Sequence, residues 1–71
     1  ALTGPIARGD IGTVRKHLEA LVEKSPGTLP IYCQASQGAV RLARERGGID
    51  DHRIRELNEL LESYLLRAAR T

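Results

Sequence analysis

Residues 50–70 read DDHRIRELNELLESYLLRAAR and carry the clearest structural signal in the chain. Apolar side chains recur there at spacings of three and four, which places them on one side of an α-helix. Asp50 stands where an N-cap residue is expected, and charged residues fill the opposite side. The apolar stripe is wide enough to need more than one partner helix. Its members are Ile54, Leu57, Leu60, Leu61, Tyr64, Leu65 and Ala68.

The sequence predicts two more helices upstream of this one, over 10–24 and 29–46. The first begins at Asp10, a second N-cap candidate, and its apolar stripe again has spacings of three and four. It ends at the Ser-Pro-Gly turn of residues 25–27, because proline cannot continue a helix. The second ends at Gly47, a residue typical of helix C-termini.

One face of the helix predicted over 29–46 is made mostly of small residues. Ile31, Ala35, Ala39 and Leu42 form one row, and the small residues Ala35, Gly38, Ala39 and Ala43 would let a neighbouring helix approach closely. We expect upstream helices outside this sequence, a second copy of the chain, or both to complete the core, with a subunit interface that involves this helix and the one predicted over 51–70. The predicted interface residues are Tyr32, Ala35, Ala39, Leu57, Leu61 and Tyr64.

Residues 1–9 are predicted to be an extended or turn-like lead-in. Pro5 disfavours a helical conformation at Gly4, and Gly9 can adopt a positive φ. No segment alternates with a period of two over a useful length, so no strand is predicted. The expected fold is therefore all-α, with three helices over 10–24, 29–46 and 51–70.

Composition limits the classes of protein to which the chain can belong. The chain has 71 residues, which is one domain at most, and a net charge of +2 from 11 basic and 9 acidic residues. The charges are interspersed, which is typical of solvated helix faces and not of a nucleic-acid surface. With no apolar run of membrane length and no leader, we expect no membrane partner and a cytoplasmic location. Because the chain starts at Ala1 and not at Met, we expect it to be part of a longer protein.

The side chains that could carry chemistry are few. Cys33, His17 and His52 have no metal-ligand spacing, so no metal site is predicted. We expect Cys33 to be an inert buried thiol, His17 to be packed or hydrogen-bonded between helices, and His52 to be solvated. Tyr32 is expected at an interface, with its hydroxyl at the rim. No residue is assigned as catalytic.

The start of the helix over 10–24 allows two interpretations. Its free backbone N–H groups, the Arg8 guanidinium and the Thr3 hydroxyl could receive a substrate carboxylate or phosphate, with Gly4 beside them. Alternatively, residues 3–5 form a tight turn, and Arg8 stabilises it by forming an ion pair with an acidic side chain. Asp10 favours the second interpretation, because its carboxylate competes for the same N–H groups. The predicted substrate-binding residues are Thr3, Gly4 and Arg8.

Residues 3–18 read TGPIARGDIGTVRKHL, and a Pro-x-Tyr step at 30–32 and GGID at 47–50 follow. This pattern resembles the C-terminal helical domain, of unassigned function, in a bacterial family with an N-terminal Rossmann-like domain. That family is similar in layout to pyrroline-5-carboxylate reductase and to the deazaflavin-dependent NADP reductases. The match covers most of this chain and the later part of the family's helical domain.

The resemblance implies a fragment of a helical dimerisation domain like the C-terminal domain of 6-phosphogluconate dehydrogenase. In such reductases this domain builds a homodimer and closes over the nicotinamide end of NADP or NAD, which the Rossmann-like domain holds. The present chain has no G-x-G-x-x-G after a strand, so it binds no dinucleotide by itself. The resemblance therefore implies that any NAD(P)-dependent oxidoreductase activity belongs to a longer protein.

Two other classes of protein compete with this interpretation. A stand-alone helical protein-interaction module predicts the same apolar stripes. A DNA-binding helix-turn-helix would need apolar residues at 53 and 56, which are Arg53 and Glu56, whereas the apolar residues fall one place later, at Ile54 and Leu57. We therefore expect no nucleic-acid partner.

Overall fold

Four α-helices and one short 3-10 turn make up the fold. The computed structural model describes the backbone of residues 3–70 and the side chains of residues 4–70. The helices are α1 (Thr3–Arg8), α2 (Ile11–Lys24), α3 (Leu29–Arg46) and α4 (Asp51–Arg70), and the 3-10 turn spans Pro26–Thr28. Residues 3–70 contain no strand, which confirms the all-α prediction. The three predicted helices are α2, α3 and α4, with ends that agree to within one residue.

The prediction of a turn-like lead-in over 1–9 was wrong, because the described part of this segment forms α1. Pro5 is the third residue of the helix, in the first turn, where a missing N–H leaves no hydrogen bond unmade. Gly9 N donates to the Ile6 carbonyl (3.0 Å) and Asp10 N to the Pro5 carbonyl (2.8 Å), which closes the helix C-terminus. Ile6 is fully buried and holds this short helix on the core.

Local hydrogen bonds fix where the longer helices begin. Asp10 caps α2, since its Oδ1 accepts from the backbone N of Thr13 (3.1 Å) and its Oδ2 from the Thr13 hydroxyl (2.7 Å). Asp50 caps α4 in the same way, accepting from the backbone N of Arg53 at 2.7 Å. At the other end of α3, Gly47 has φ +71° and donates to the Arg44 carbonyl. Both predicted N-caps and the predicted glycine stop are confirmed.

The central element is α3, which contacts all three other helices and packs most extensively against α4. Each fully buried aliphatic side chain between them contributes roughly 1.5 to 3 kcal/mol from burial. One continuous cluster forms the core. Its buried members are Ile6, Val14, Leu18, Leu29, Cys33, Val40, Ile54, Leu57, Leu61 and Tyr64.

Three of the predicted interface residues lie inside this core. Leu57 and Leu61 are fully buried by the chain's own helices, and Tyr64 is 6% exposed. In this arrangement they leave no surface for a second chain, so their assignment to an interface is corrected to the core. The wide stripe of α4 does meet more than one partner, as expected, because α4 packs against both α3 and α2.

None of the helices in residues 3–70 is both long enough and apolar enough to cross a bilayer.

Candidate functional site

The junction of α1 and α2 brings together two of the three predicted substrate-binding residues. Arg8 Nη1 lies 3.5 Å from the position that a Cβ on Gly4 would occupy, so the guanidinium covers this glycine. Arg8 Nη2 also lies 3.6 Å from Oδ2 of Asp10; the Arg8 side chain is largely solvent-exposed and that of Asp10 is partly exposed. Thr3 begins α1, but its side chain lies outside the described residues. The acid that we expected to pair with Arg8 is therefore Asp10.

The Asp10 carboxylate occupies the N-terminus of α2. Hydrogen bonds from the Thr13 hydroxyl and the Thr13 backbone N–H lower its pKa below the ordinary value of 3.8, and the nearby Arg8 charge acts in the same direction. Ile11 N is also engaged, donating to the Gly9 carbonyl at 3.1 Å. An anionic ligand at this helix end would have to displace a carboxylate that is already ionised and hydrogen-bonded.

Contacts from α4 hold the junction in place. Gly9 has φ +68°, and its carbonyl accepts a hydrogen bond from Arg53 Nη1 at 2.8 Å. A Cβ at Gly9 would lie 2.9 Å from Cγ of Arg53 and 3.2 Å from Cγ2 of Ile49, so both the φ and the space favour glycine. The positive φ of Gly9 was predicted, but the role of Arg53 was missed.

The exposed apolar face of α3 is the second candidate site. Ile31, Ala35 and Leu42 are exposed on one side of α3, and Ala39, at the edge of this side, packs against the core; we call these four residues the outer row. Ile31 is 67% exposed and Leu42 is 45% exposed, while Ala35 is exposed and Ala39 is partly buried. Tyr32 is half-buried at the edge of this row. Thus the predicted interface residues of α3 remain accessible, in contrast to those of α4.

A groove runs beside each end of the outer row. The first is a cavity of about 270 Å³ where α1 meets the C-terminal half of α3. The second is a cavity of about 320 Å³ between α2 and the N-terminal half of α3. The first is lined by Ala7, Ala39, Leu42, Ala43, Arg46 and Gly48, and the second by His17, Ala20, Leu21, Lys24 and Tyr32.

His17 and Tyr32 connect α2 to α3 at the edge of the second groove. His17 Nδ1 lies 3.2 Å from the Tyr32 hydroxyl, and the two rings meet edge to face with centroids 6.2 Å apart. This confirms the predicted inter-helix hydrogen bond of His17. Burial raises the pKa of Tyr32 above its ordinary value of 10.0, which makes its hydroxyl a poorer acid near neutral pH.

Two small polar side chains lie on the core face of α3. Cys33 is fully buried, and burial raises the pKa of its thiol above 9.0, in agreement with the predicted inert thiol. Ser36 is also fully buried, and its hydroxyl has no partner among the described residues at ordinary hydrogen-bond geometry, although an interaction with Ser36 lowers the pKa of Tyr32 against the larger effect of burial. In residues 3–70 there is no group of three or more His, Cys, Asp or Glu side chains that could hold a metal ion.

Glu19, Tyr64 and Arg67 form a polar contact between α2 and α4 that sequence analysis missed. The Tyr64 hydroxyl donates a hydrogen bond to Glu19 Oε2, and Arg67 Nη1 lies 3.8 Å from the same oxygen. The Arg67 guanidinium carbon is 4.7 Å from the centroid of the Tyr64 ring, within the range of a cation–π interaction. The signal that could have predicted it is Tyr64 itself, because a tyrosine in an apolar stripe needs a partner for its hydroxyl.

His52 lies in the first turn of α4. It is exposed, and its Nε2 lies 3.4 Å from Glu56 Oε1 one turn later. This confirms the prediction that His52 is a solvated surface residue, and surface pairs of this kind contribute little to stability.

Comparison with known protein families gives a match over residues 1–39, to a family described as a domain of unknown function, DUF2520. The matched segment includes the α1–α2 junction and residues 29–39 of α3, which hold three of the four outer-row residues. No curated protein and no solved structure matches the chain. Because the match spans 39 of the 71 residues, more than half, the chain belongs to this family of unknown function.

Proposed function

We propose that this chain is the dimerisation and cleft-closing helical domain of an NAD(P)-dependent oxidoreductase. The observation that carries the proposal is the outer row of α3, of which Ile31, Ala35 and Leu42 stay exposed. Family membership is compatible with this role, although the family itself has no assigned function. The resemblance of residues 3–18 to a Rossmann-associated helical domain supports the oxidoreductase part.

The outer row supports dimerisation because it leaves two large apolar side chains exposed on one face of a single helix. Burying apolar surface yields about 25 cal/mol per Å², and contiguous patches of such residues typically mark interaction sites. Ile31 and Leu42 lie at the two ends of the row, with only small residues between them on the same face. A helix from another subunit could therefore approach α3 closely.

The α1–α2 junction supports the cleft-closing part of the proposal. Two interactions hold it rigidly, the Asp10 cap and the hydrogen bond from Arg53 to the Gly9 carbonyl. Arg8 presents an exposed guanidinium above Gly4, suitable for a carboxylate or phosphate of a substrate bound between domains. This chain would thus form one wall of a cleft, and none of its described residues is assigned a catalytic role.

The residues of this chain do not fit a nicotinamide dinucleotide. The fingerprint glycines are missing, and the ionised Asp10 carboxylate occupies the N-terminus of α2, where a pyrophosphate would otherwise bind. We therefore derive no step of hydride transfer from these residues. NADP or NAD would be held by the Rossmann-like domain that the resemblance implies.

Nucleotide binding separates this proposal from its main alternative, a stand-alone protein-interaction module. We expect the full-length protein to bind NADPH or NADH in titration calorimetry and to sediment as a dimer. A dimer that binds neither nucleotide would favour the interaction module, and a folded monomer would overturn the dimerisation part. A helix-turn-helix is disfavoured because Ile54 and Leu57 are buried while Arg53 is exposed, a register that this motif does not have.

The cleft part has its own test in Arg8→Ala. We expect weaker substrate binding, seen as a raised KM, with a change of only a few degrees in melting temperature, because the Arg8–Asp10 pair is largely exposed. Arg15→Ala serves as the control, since Arg15 is an exposed arginine of α2 outside the junction. A loss of stability without a change in KM would mean that Arg8 only braces the junction.

A further inference from the structure

We propose that this chain binds a small aliphatic monocarboxylate in a cavity between the C-terminal ends of α2 and α4, which we call the α2–α4 cavity. Its volume is about 330 Å³, within the range of small-molecule sites. It is lined by Val22, Pro26, Leu29, Arg67 and Ala68. None of these residues belongs to the outer row or to the α1–α2 junction. The inference therefore goes beyond the proposed function and does not depend on it.

The apolar part of the cavity is aliphatic. Leu29 is 3% exposed and belongs to the core cluster, and Val22 and Ala68 are partly buried and pack against that cluster. Pro26 lies in the 3-10 turn and adds a ring without a hydrogen-bond donor. Among the five lining residues Arg67 alone has a polar side chain. A hydrocarbon chain is the ligand group that the other four residues can bind, because it loses no hydrogen bonds to water when they cover it.

Arg67 supplies the cation at the edge of the cavity, and its position is restricted by Tyr64. The guanidinium carbon lies 4.7 Å from the centroid of the Tyr64 ring. The ring is held in turn by the hydrogen bond from its hydroxyl to Glu19 Oε2. The cation–π contact limits the motion of the guanidinium but supplies no oxygen acceptor to its N–H groups. A ligand would therefore meet a positioned cation, which lowers the entropic cost of binding.

The N–H groups of Arg67 have no acceptor at hydrogen-bond distance among the described residues. Nη1 lies 3.8 Å from Glu19 Oε2, beyond hydrogen-bond length, and that oxygen already accepts from the Tyr64 hydroxyl. A guanidinium has five donors and can bind a carboxylate through two of them at once. A ligand carboxylate would thus add hydrogen bonds without displacing any. This differs from the N-terminus of α2, where Asp10 already occupies the donors.

The charges around the cavity favour a ligand with a single negative charge. The last turns of α2 and α4 carry three basic residues, Lys24, Arg67 and Arg70. The same half of α2 carries Glu19 and Glu23, and the carbonyl ends of both helices add partial negative charge. Positive charge is therefore only in modest excess. A doubly charged phosphate would meet more repulsion here than a monocarboxylate.

The first experiment titrates the full-length protein with octanoate, a carboxylate on an unbranched aliphatic chain, and follows binding by ligand-observed NMR. Arg67→Met removes the charge and keeps a flexible apolar side chain, so we expect octanoate to bind at least tenfold more weakly. Arg55→Met is the matched control, because Arg55 is an exposed arginine of α4 that does not line this cavity. It should bind octanoate as the wild-type protein does.

The second experiment separates the carboxylate contact from the apolar contact. Octanol has the same chain without a charge, and we expect it to bind the wild-type protein more weakly than octanoate and to be insensitive to Arg67→Met. Ala68→Leu places a larger side chain in the cavity while keeping Arg67, and it should weaken octanoate binding at least tenfold. Circular dichroism establishes that the variants are folded. If Arg67→Met were unfolded, Ala68→Leu and the comparison with octanol would still test the site.

The outcomes separate this inference from the proposed function. A wild-type protein that does not bind octanoate at millimolar concentration would overturn the inference. Equal weakening in Arg67→Met and Arg55→Met, or octanol binding as tight as that of octanoate, would mean that Arg67 makes no specific carboxylate contact, which also overturns it. Octanoate binding that survives Ala68→Leu would place the ligand on another surface. None of these results bears on dimerisation or nucleotide binding, which are measured separately.

Discussion

The two faces of α3 differ little in composition but greatly in environment. One face is buried against the other helices and consists of Leu29, Cys33, Ser36, Val40 and Ala43. The other is the outer row, which holds a larger share of bulky aliphatic side chains and faces away from the core. The face with a serine and a cysteine is inside, and the face with an isoleucine and a leucine is outside. Hydrophobicity alone therefore does not decide which side of this helix is buried.

The partners of α3 explain the difference. The buried face meets Leu57 and Leu61 of α4 and Ile6 of α1 within one continuous cluster, and all three of these residues are fully buried. These bulky side chains fill the space opposite small ones, which suits close packing between helices. The exposed members of the outer row, Ile31, Ala35 and Leu42, have no such partner within the described residues.

The two faces of α3 should differ most in how an introduced charge affects folding. Val40→Asp places an unpaired carboxylate at a position that is 1% exposed, and such burial costs several kcal/mol. A core of this size supplies only about 3 to 5 kcal/mol of net stability, so we expect Val40→Asp to be unfolded. Leu42→Asp, two residues later on the outer row, should keep the helical circular dichroism spectrum and a cooperative thermal transition.

The reverse result would change the assignment of the faces. If Leu42→Asp unfolded and Val40→Asp did not, the outer row would be the core side of α3. If both unfolded, the outer row would contribute to folding as well as to association, as in an obligate dimer. In that case the melting temperature of the wild-type protein would rise with protein concentration.

The sequence predicted α4 well because that helix has a single apolar stripe opposite a charged face. For α3 it did not distinguish between the two faces, since both contain apolar residues at helical spacing. The six-residue α1 was missed because it is too short to show a period, and Gly4 and Pro5 are more typical of turns. Its place in the fold depends on Ile6, whose burial is a tertiary effect.

Part of the candidate site was predictable because some of its contacts join residues that are close in sequence. The Asp10 cap joins residues three apart, so local sequence is sufficient to identify it. The hydrogen bonds from Arg53 to Gly9 and from Tyr64 to Glu19 join residues 44 and 45 positions apart, and no local pattern specifies them. They follow from how α4 packs on the rest of the chain.

A smaller difference in stability is expected when serine is replaced by alanine on the buried face of α3 and alanine by serine on the outer row. Ser36→Ala removes a buried hydroxyl without a hydrogen-bond partner, which should raise the free energy of unfolding by about 1 to 3 kcal/mol. Ala35→Ser is the matched control, since it measures the difference in helix propensity at an exposed position of the same helix. Chemical denaturation of both variants provides the comparison.

The control determines how the result is interpreted. The gain from Ser36→Ala should exceed the loss from Ala35→Ser, and the excess is the contribution of the unpartnered hydroxyl. If Ser36→Ala instead lowered stability, the hydroxyl would be making a hydrogen bond in solution, for example to Tyr32, whose pKa Ser36 lowers, or to a buried water molecule.

The smallest expected difference between the two faces of α3 is in how a thiol on each face changes the loss of stability in alkaline solution. Burial raises the pKa of the Cys33 thiol above 9.0 in the folded protein. The contribution of the neutral thiol to stability is therefore fully present below the unfolded-state pKa and is lost as the pH rises through the folded-state pKa. Above about pH 9 we therefore expect stability to fall less steeply in Cys33→Ala than in the wild-type protein. Ala35→Cys, studied under reducing conditions, adds an exposed thiol and should leave the wild-type slope unchanged. Equal slopes for wild type and Cys33→Ala would mean that solvent reaches the thiol, and that the buried face of α3 opens more readily than its packing indicates.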